Sequence, residues 1–171
     1  QLSVSNSTFT ATDEILVAVA ARTTKQLQAL YTFEENGGGI VHDVSGAGAA
    51  LDLQIADAAA VEWLKGGLKL KSPALLISQG AATRLHEAVK ASNELTVEAW
   101  IKPALARAEG LARILTLSGG PAARNVLLGQ SGDQFHLGLR SSTSNINASN
   151  KALTGGTVDT EKPVHIVCTR N

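Results

Sequence analysis

Residues 95–103 read LTVEAWIKP, seven positions of apolar/polar alternation that end at a proline. Successive side chains point to opposite faces only in a β-strand, so this segment can bury one face and wet the other only as a strand. Leu95, Val97, Ala99 and Ile101 share one face, and Thr96, Glu98, Trp100 and Lys102 the other. The same period recurs along the chain. LDLQIAD sets Leu51, Leu53 and Ile55 against Asp52, Gln54 and Ala56. Residues 61–64, the Gly66-Gly67 turn and a return through Leu68 and Leu70 predict a hairpin. ARILTL, NVLLGQ, FHLGLRS and VHIVCTR predict four more strands. ALYTFEE places Tyr31, Phe33 and Glu35 on one face, the one expected to be buried, and Leu30, Thr32 and Glu34 on the other. NGGG, residues 36–39, is a turn in which glycine permits positive φ, and Asp43, Ser45, Gly46 and Gly48 mark a second tight loop. Only TRLHEAVKAS, residues 83–92, carries a helical period, with Thr83 as its cap and Leu85, Ala88 and Val89 along one side. Short, numerous, turn-punctuated strands with one short helix predict an all-β chain folded as an antiparallel β-sandwich.

Two segments stand outside that pattern. Residues 1–27 open polar and Ser/Thr-rich, and ILVAVAARTTKQLQAL then leads up to Tyr31. The Asp-Glu start and the alanines favour a helix there; Ile15, Val17 and Val19 favour a strand. A helix is the expectation, in an N-terminal arm or linker. Residues 141–163 form a long Ser/Asn/Gly-rich loop, and loops of that length are functional or mobile.

Composition narrows the function classes. Lys+Arg 15 against Asp+Glu 15 gives a net charge of +0, where a nucleic-acid partner would want a basic excess. The longest strongly apolar stretch, Ile15 to Ala21, is far short of the roughly 20 residues that span a bilayer, so no membrane insertion is expected. The single cysteine, Cys168, has no partner for an internal disulfide and sits in a strand pattern, which predicts a buried, inert thiol.

Several of these motifs, in their order, resemble a known family. LQALYTFEENGGGIVHDVSG is similar to the opening of laminin-G-like domains of the concanavalin-A-like jelly roll: an aromatic strand with Tyr31 and Phe33, the acidic Glu34, the turn Gly37 to Gly39, then Asp43-Val44-Ser45-Gly46. LTVEAWIKP resembles the family's central strand, RILTLSG the next one, and VHIVCTRN its His-apolar-apolar-x-Thr strand. The resemblance covers residues 28–171 and implies a concanavalin-A-like sandwich over them. Family members continue past the VHIVCTRN strand, which implies a sandwich incomplete at the C-terminus, with an open edge for another chain to complete. It also implies that Trp100 is a buried anchor of a central strand, with a sugar-stacking platform as the alternative.

The chemistry of the residues and the family point the same way on activity. Retaining glucanases of this fold need two carboxylates about 5 Å apart. Glu34 and Glu35 are adjacent and face opposite ways, and Glu94 and Glu98 have Thr96 between them where an acid would be required. No catalytic residue is assigned, and a surface role is the expectation for all four. His42, His86, His136 and His165 are scattered without metal-ligand spacing, so no metal site is assigned. Calcium is the one cofactor that the family context leaves open, with Asp43 and Asp57 as candidates. Two glycosylation sequons, at Asn6 and Asn147, lie in polar segments where they arise easily by chance. The resemblance thus implies a non-catalytic, extracellular or periplasmic recognition or adhesion module that contacts protein or glycan through its loops. The alternative is a structural subunit of a larger extracellular assembly, with the arm and the open edge as contacts.

Overall fold

The computed structural model describes residues 2–5, 10–13, 24–120, 122–148 and 152–171. The helix expected in the arm falls largely on residues 14–23, outside the described ones; residues 24–27 form a turn closed by Leu27 N–H on the Thr24 carbonyl at 3.1 Å. The chain is all-β in class, built of antiparallel sheets, with one α-helix among the described residues. It divides into two compact units, Gln1–Ile77 and Ser78–Asn171.

In the first unit, strands β1 (Leu2–Ser5) and β2 (Thr10–Asp13) pair with each other. Strands β3 (Ile40–Val41), β4 (Leu53–Ile55) and β7 (Leu76–Ser78) form one sheet in the order β3-β4-β7. Strands β5 (Val61–Leu64) and β6 (Gly67–Leu70) form the predicted hairpin, with Gly66 at φ +72 in its turn. The period-2 faces meet in a core of Val41, Ile55 and Val61, packed by Tyr31, Phe33, Leu53, Trp63 and Leu68.

Residues 29–35 correct the strand expected there. The aromatic face is half-buried against this core, as the alternation predicts, but no strand ladder forms and Phe33 sits at φ 55. Asp43 is the reason. Its Oδ1 accepts the Leu30 N–H at 3.1 Å, and the Leu30 carbonyl takes the Val44 N–H at 2.9 Å. A side-chain carboxylate occupies the place of a neighbouring strand.

The second unit opens with α1 (Thr83–Ser92), at the residues its period predicts. Thr83 does not cap it. The N-cap is Ala82, which offers no side-chain acceptor; the C-cap is Asn93 in the left-handed region at φ 59. Arg170 holds that end by donating from Nη1 to the Asn93 carbonyl at 2.9 Å and to its Oδ1 at 2.7 Å. Strands β8 (Leu95–Ile101), β9 (Ala108–Gly120), β10 (Ala123–Gly132), β11 (Gln134–Leu139), β12 (Leu153–Gly155) and β13 (Val164–Arg170) follow. They make a four-stranded sheet β12-β11-β10-β9 and a two-stranded sheet β13-β8. The two sheets pack face to face through Leu128, Phe135 and Ile166, with Val97, Ala99, Ile101, Val164 and Cys168 around them. This unit is a β-sandwich in the strict sense of two apposed inner faces.

The loop expected over 141–163 is less open than its composition suggests. It contains β12, paired to β11. Before that strand it folds back over the side of the four-stranded sheet opposite the sandwich core. The Ile146 carbonyl accepts the Arg124 N–H at 3.2 Å, and Ala148 is 0% exposed. Gly138 makes the close approach possible, since a methyl group there would stand 2.7 Å from the Ala148 carbonyl oxygen. Gly138→Ala is therefore expected to destabilise the second unit by about 1–3 kcal/mol, the usual cost of overpacking. Chemical denaturation checks this. A neutral result would mean that the loop lifts off freely.

Candidate functional site

The alternation that opened the sequence also builds the most distinctive surface of the second unit. β8 and β13 pair in register, with Trp100 opposite His165, Glu98 opposite Val167 and Thr96 opposite Thr169. Leu95, Val97, Ala99 and Ile101 turn inward, and the other set turns outward. Trp100 belongs to the outward set and is 69% exposed, so it is not the buried anchor expected of it. Alternation already placed it opposite Val97 and Ile101; burial by family analogy conflicted with that and lost.

Among the described residues Trp100 has one ring partner. The His165 imidazole lies 4.3 Å away, centroid to centroid, at an interplanar angle of 8°. His165 Nε2 is 2.9 Å from Glu98 Oε1, a diagonal contact across the strand pair. With the imidazole neutral, Nε2–H donates to the carboxylate and Nδ1 is left as an acceptor. The Thr96 and Thr169 hydroxyls meet at 3.4 Å at the far end of the row. An exposed pair such as His165–Glu98 contributes little to stability, ~0–1 kcal/mol. Its effect is to fix the imidazole, and through it the indole, in one orientation. The indole keeps one face against His165 and the other open. Glu98 Oε2 and His165 Nδ1 have no partner among the described residues.

Other residues singled out by sequence have structural tasks. Asp43 is a loop organiser: Oδ1 accepts N–H groups from Leu30 (3.1 Å) and Ser45 (3.0 Å), and Oδ2 accepts the Leu51 N–H at 3.1 Å. Burial pushes its pKa up, but the Ser45 hydroxyl and these N–H groups outweigh that and hold it at about 2. Asp57 caps the 3-10 turn Ala58–Ala60 through the Ala59 N–H at 2.9 Å. Asp43 thus spends both carboxylate oxygens on backbone donors, and Asp57 spends Oδ1. Among the described residues no group of three His, Cys, Asp or Glu side chains is arranged to hold a metal ion.

Glu35 accepts the His42 N–H at 2.8 Å, and His42 Nδ1 lies 3.0 Å from Asp52 Oδ2. The Asp43 N–H, then His42, hold the Asp52 carboxyl below its ordinary range. Glu35, His42, Ile40 and Gly37 to Gly39 line an open concavity of about 470 Å³. Two of its backbone carbonyls are already engaged, Gly38 by Trp63 Nε1 at 3.0 Å and Gly39 by Gln54 Nε2 at 2.9 Å. Glu34 and Glu94 are exposed, and His86 pairs with its neighbour Glu87 at 3.1 Å. Cys168 is a free, half-buried thiol whose pKa burial pushes up, in keeping with an inert core residue. Asn147 turns its Oδ1 into the protein, and Ala148 of the same sequon is fully buried; Asn6 lies outside the described residues.

His136 is a half-buried histidine of the second unit. Its Nε2 is shielded from solvent without a hydrogen-bond partner. Burial, then the positive charge of Arg124, lower its pKa. A depressed histidine pKa means that the folded state prefers the neutral ring. This stabilisation is full above the unfolded value of about 6.5 and is lost as pH falls towards the lower folded value. Acidification from about pH 7.5 to 5 is thus expected to lower the melting temperature, and His136→Gln should flatten that slope. An unchanged slope in the variant would place the effect elsewhere.

The sequence placed His165 on a predicted strand, as one of four scattered histidines, but not beside Trp100. Its role comes from a register that joins positions 65 residues apart, which no local pattern encodes. Comparison of the chain with protein-family models, with curated proteins and with solved structures found no match in any of the three.

Proposed function

We propose that this chain is a non-catalytic recognition module of laminin-G-like, concanavalin-A-like kind, and that it holds a glycan on the outer face of β8 and β13. Trp100 carries the reading. Leaving so large a ring 69% exposed forgoes roughly 2 kcal/mol that burial would contribute. The ring is also held in place by His165 and Glu98. A pyranose has the complementary pattern: an apolar face of C–H groups for the indole, and hydroxyl donors at its rim for Glu98 Oε2 and His165 Nδ1. The exposed Lys102, next in the alternation, adds a donor and balances the Glu98 charge, which favours a neutral sugar. Glu98 is the one carboxylate in the row formed by residues 96, 98, 100, 165, 167 and 169, so the pair needed for glycoside hydrolysis is not assembled there. An extracellular or periplasmic setting follows from the resemblance. The assembly-subunit reading has its own support in apolar side chains left open at the sheet flanks, Leu115 at 39% and Leu153 at 69%.

The test uses the two indole N–H signals in an NMR titration with methyl β-glucoside, methyl β-galactoside and their short oligomers. One ring stack and two or three hydrogen bonds predict a Kd of about 1 mM. The Trp100 signal is expected to shift saturably while that of Trp63, bonded to the Gly38 carbonyl, stays fixed. Trp100→Ala should weaken binding at least about tenfold, a loss of ~1.4 kcal/mol. A Trp100 signal unmoved by every sugar would remove the glycan reading.

A further inference from the structure

We propose that the β13-β8 sheet takes up an extended strand from a partner polypeptide along a free edge, with apolar side chains at alternate positions of that strand packing onto the four-stranded sheet. The edges and inner side of the sheet are engaged in this way, not its outer face, so strand uptake is independent of sugar binding at Trp100.

The register supplies the first observation. Leu115 pairs with Leu128, Leu128 with Leu137, and Leu137 with Leu153. Directly paired residues share a face, so four leucines form one row across β9, β10, β11 and β12. Leu128 packs into the sandwich core, which puts the whole row on the inner face. Exposure along the row is 39% at Leu115, 0% at Leu128 and 69% at Leu153, with Leu137 half-buried. The centre is covered and both flanks are open.

The second observation is the width of the cover. Strands in a sheet lie about 4.8 Å apart, so four strands span about 14 Å between outer axes and two span about 5 Å. The narrower sheet sits over β10 and β11, where Leu128 and Phe135 meet its inward residues. It therefore falls short by one strand on each side. Its own edges are ready for that strand: β8 and β13 are seven residues each, and among the described residues each is paired only to the other. Unpaired N–H and C=O groups along such an edge template strand addition.

Geometry also selects the occupant. A second copy joined edge to edge through β8 or β13 would set the centres of the two covers about 10 Å apart. The four-stranded sheets beneath them need about 19 Å to lie side by side, so they would overlap. A lone extended segment meets no such obstacle, and it brings side chains to one face at every second residue.

The probe is a blocked synthetic peptide, Lys-Val-Thr-Val-Thr-Val-Thr-Lys, added to the full chain. Hydrogen exchange of the β8 and β13 amides is followed by NMR. The expected result is saturable slowing of the amides on one edge of the pair that point away from the ladder. The same peptide with proline at two central positions, which cannot donate ladder bonds, should give none. Leu115→Lys with Leu153→Lys should weaken the effect at least about tenfold. These side chains are exposed, and the indole signals of Trp63 and Trp100 report whether the variant folds. The proposal is overturned if no β8 or β13 amide slows, if the proline peptide acts equally, if protection appears on β9 instead, or if the protein protects the same amides by dimerising.

Discussion

Asp43→Ala is expected to cost the first unit about 4 kcal/mol, more than any other single carboxylate among the described residues. Three backbone groups converging on one side chain set that figure. Asp43 is 8% exposed and accepts N–H groups from Leu30, Ser45 and Leu51. Hydrogen bonds to a charged group contribute about 1.5–3 kcal/mol each, and a buried donor left without an acceptor costs about 1–3 kcal/mol. The three share one acceptor group and are not additive, so the sum is discounted to about 4. Asp43→Asn should recover less than half, because an amide has one acceptor oxygen where the carboxylate has two. Acid titration gives an independent reading. The folded pKa is about 2 against an ordinary 3.8, so the stabilisation is complete above pH 3.8 and is lost as pH falls from there through 2. A shift of that size corresponds to about 2 kcal/mol at neutral pH. Urea denaturation followed through Trp63, whose indole is bonded within this unit, measures both effects. Equal midpoints for wild type and Asp43→Ala would mean that the loop is held by other contacts.

Asp43 also shows where sequence reading succeeds and where it stops. The Asp-x-Ser-Gly spacing marked a tight loop, and the loop is there. It could not show that the carboxylate would reach back to Leu30 and so dissolve the strand expected over residues 29–35. Period-2 patterns placed the strands around Leu53, Val61, Leu95 and Val164, because alternation is a local property of the chain. The helix was found for the same reason, at period 3.6. Thr83 failed as a cap by one position, the usual uncertainty of a helix end. The loop over 141–163 hid β12 because Leu153-Thr154-Gly155 carries too few residues for any period; only its pairing to Leu137, His136 and Phe135 defines it. The candidate site was half legible. Trp100 and Glu98 are two residues apart and share a face by alternation, whereas His165 arrives through a pairing across most of the second unit.

Leu128→Ala and Trp100→Ala should part company by several kcal/mol, and this contrast decides where the core of the second unit lies. Leu128 is 0% exposed and packs between the two sheets. Truncation there removes buried carbons and leaves a cavity that the rigid strand pairs on either side cannot close, so the expected loss is about 3–5 kcal/mol. For a unit of under a hundred residues such a loss lowers the melting temperature by well over 10 °C, at about 4–8 °C per kcal/mol. Trp100 is the larger side chain but stands in solvent, so its removal forfeits the His165 stack and little else. Its cost should stay within about 0.5–1 kcal/mol. A buried anchor would reverse the order, because an indole withdrawn from a core costs about as much as any substitution can. Side-by-side thermal melts of the two variants therefore test the placement of the indole without any ligand. A Trp100→Ala melt as low as that of Leu128→Ala would turn β8 over, put Glu98 and His165 inside, and leave no platform on which a sugar could rest.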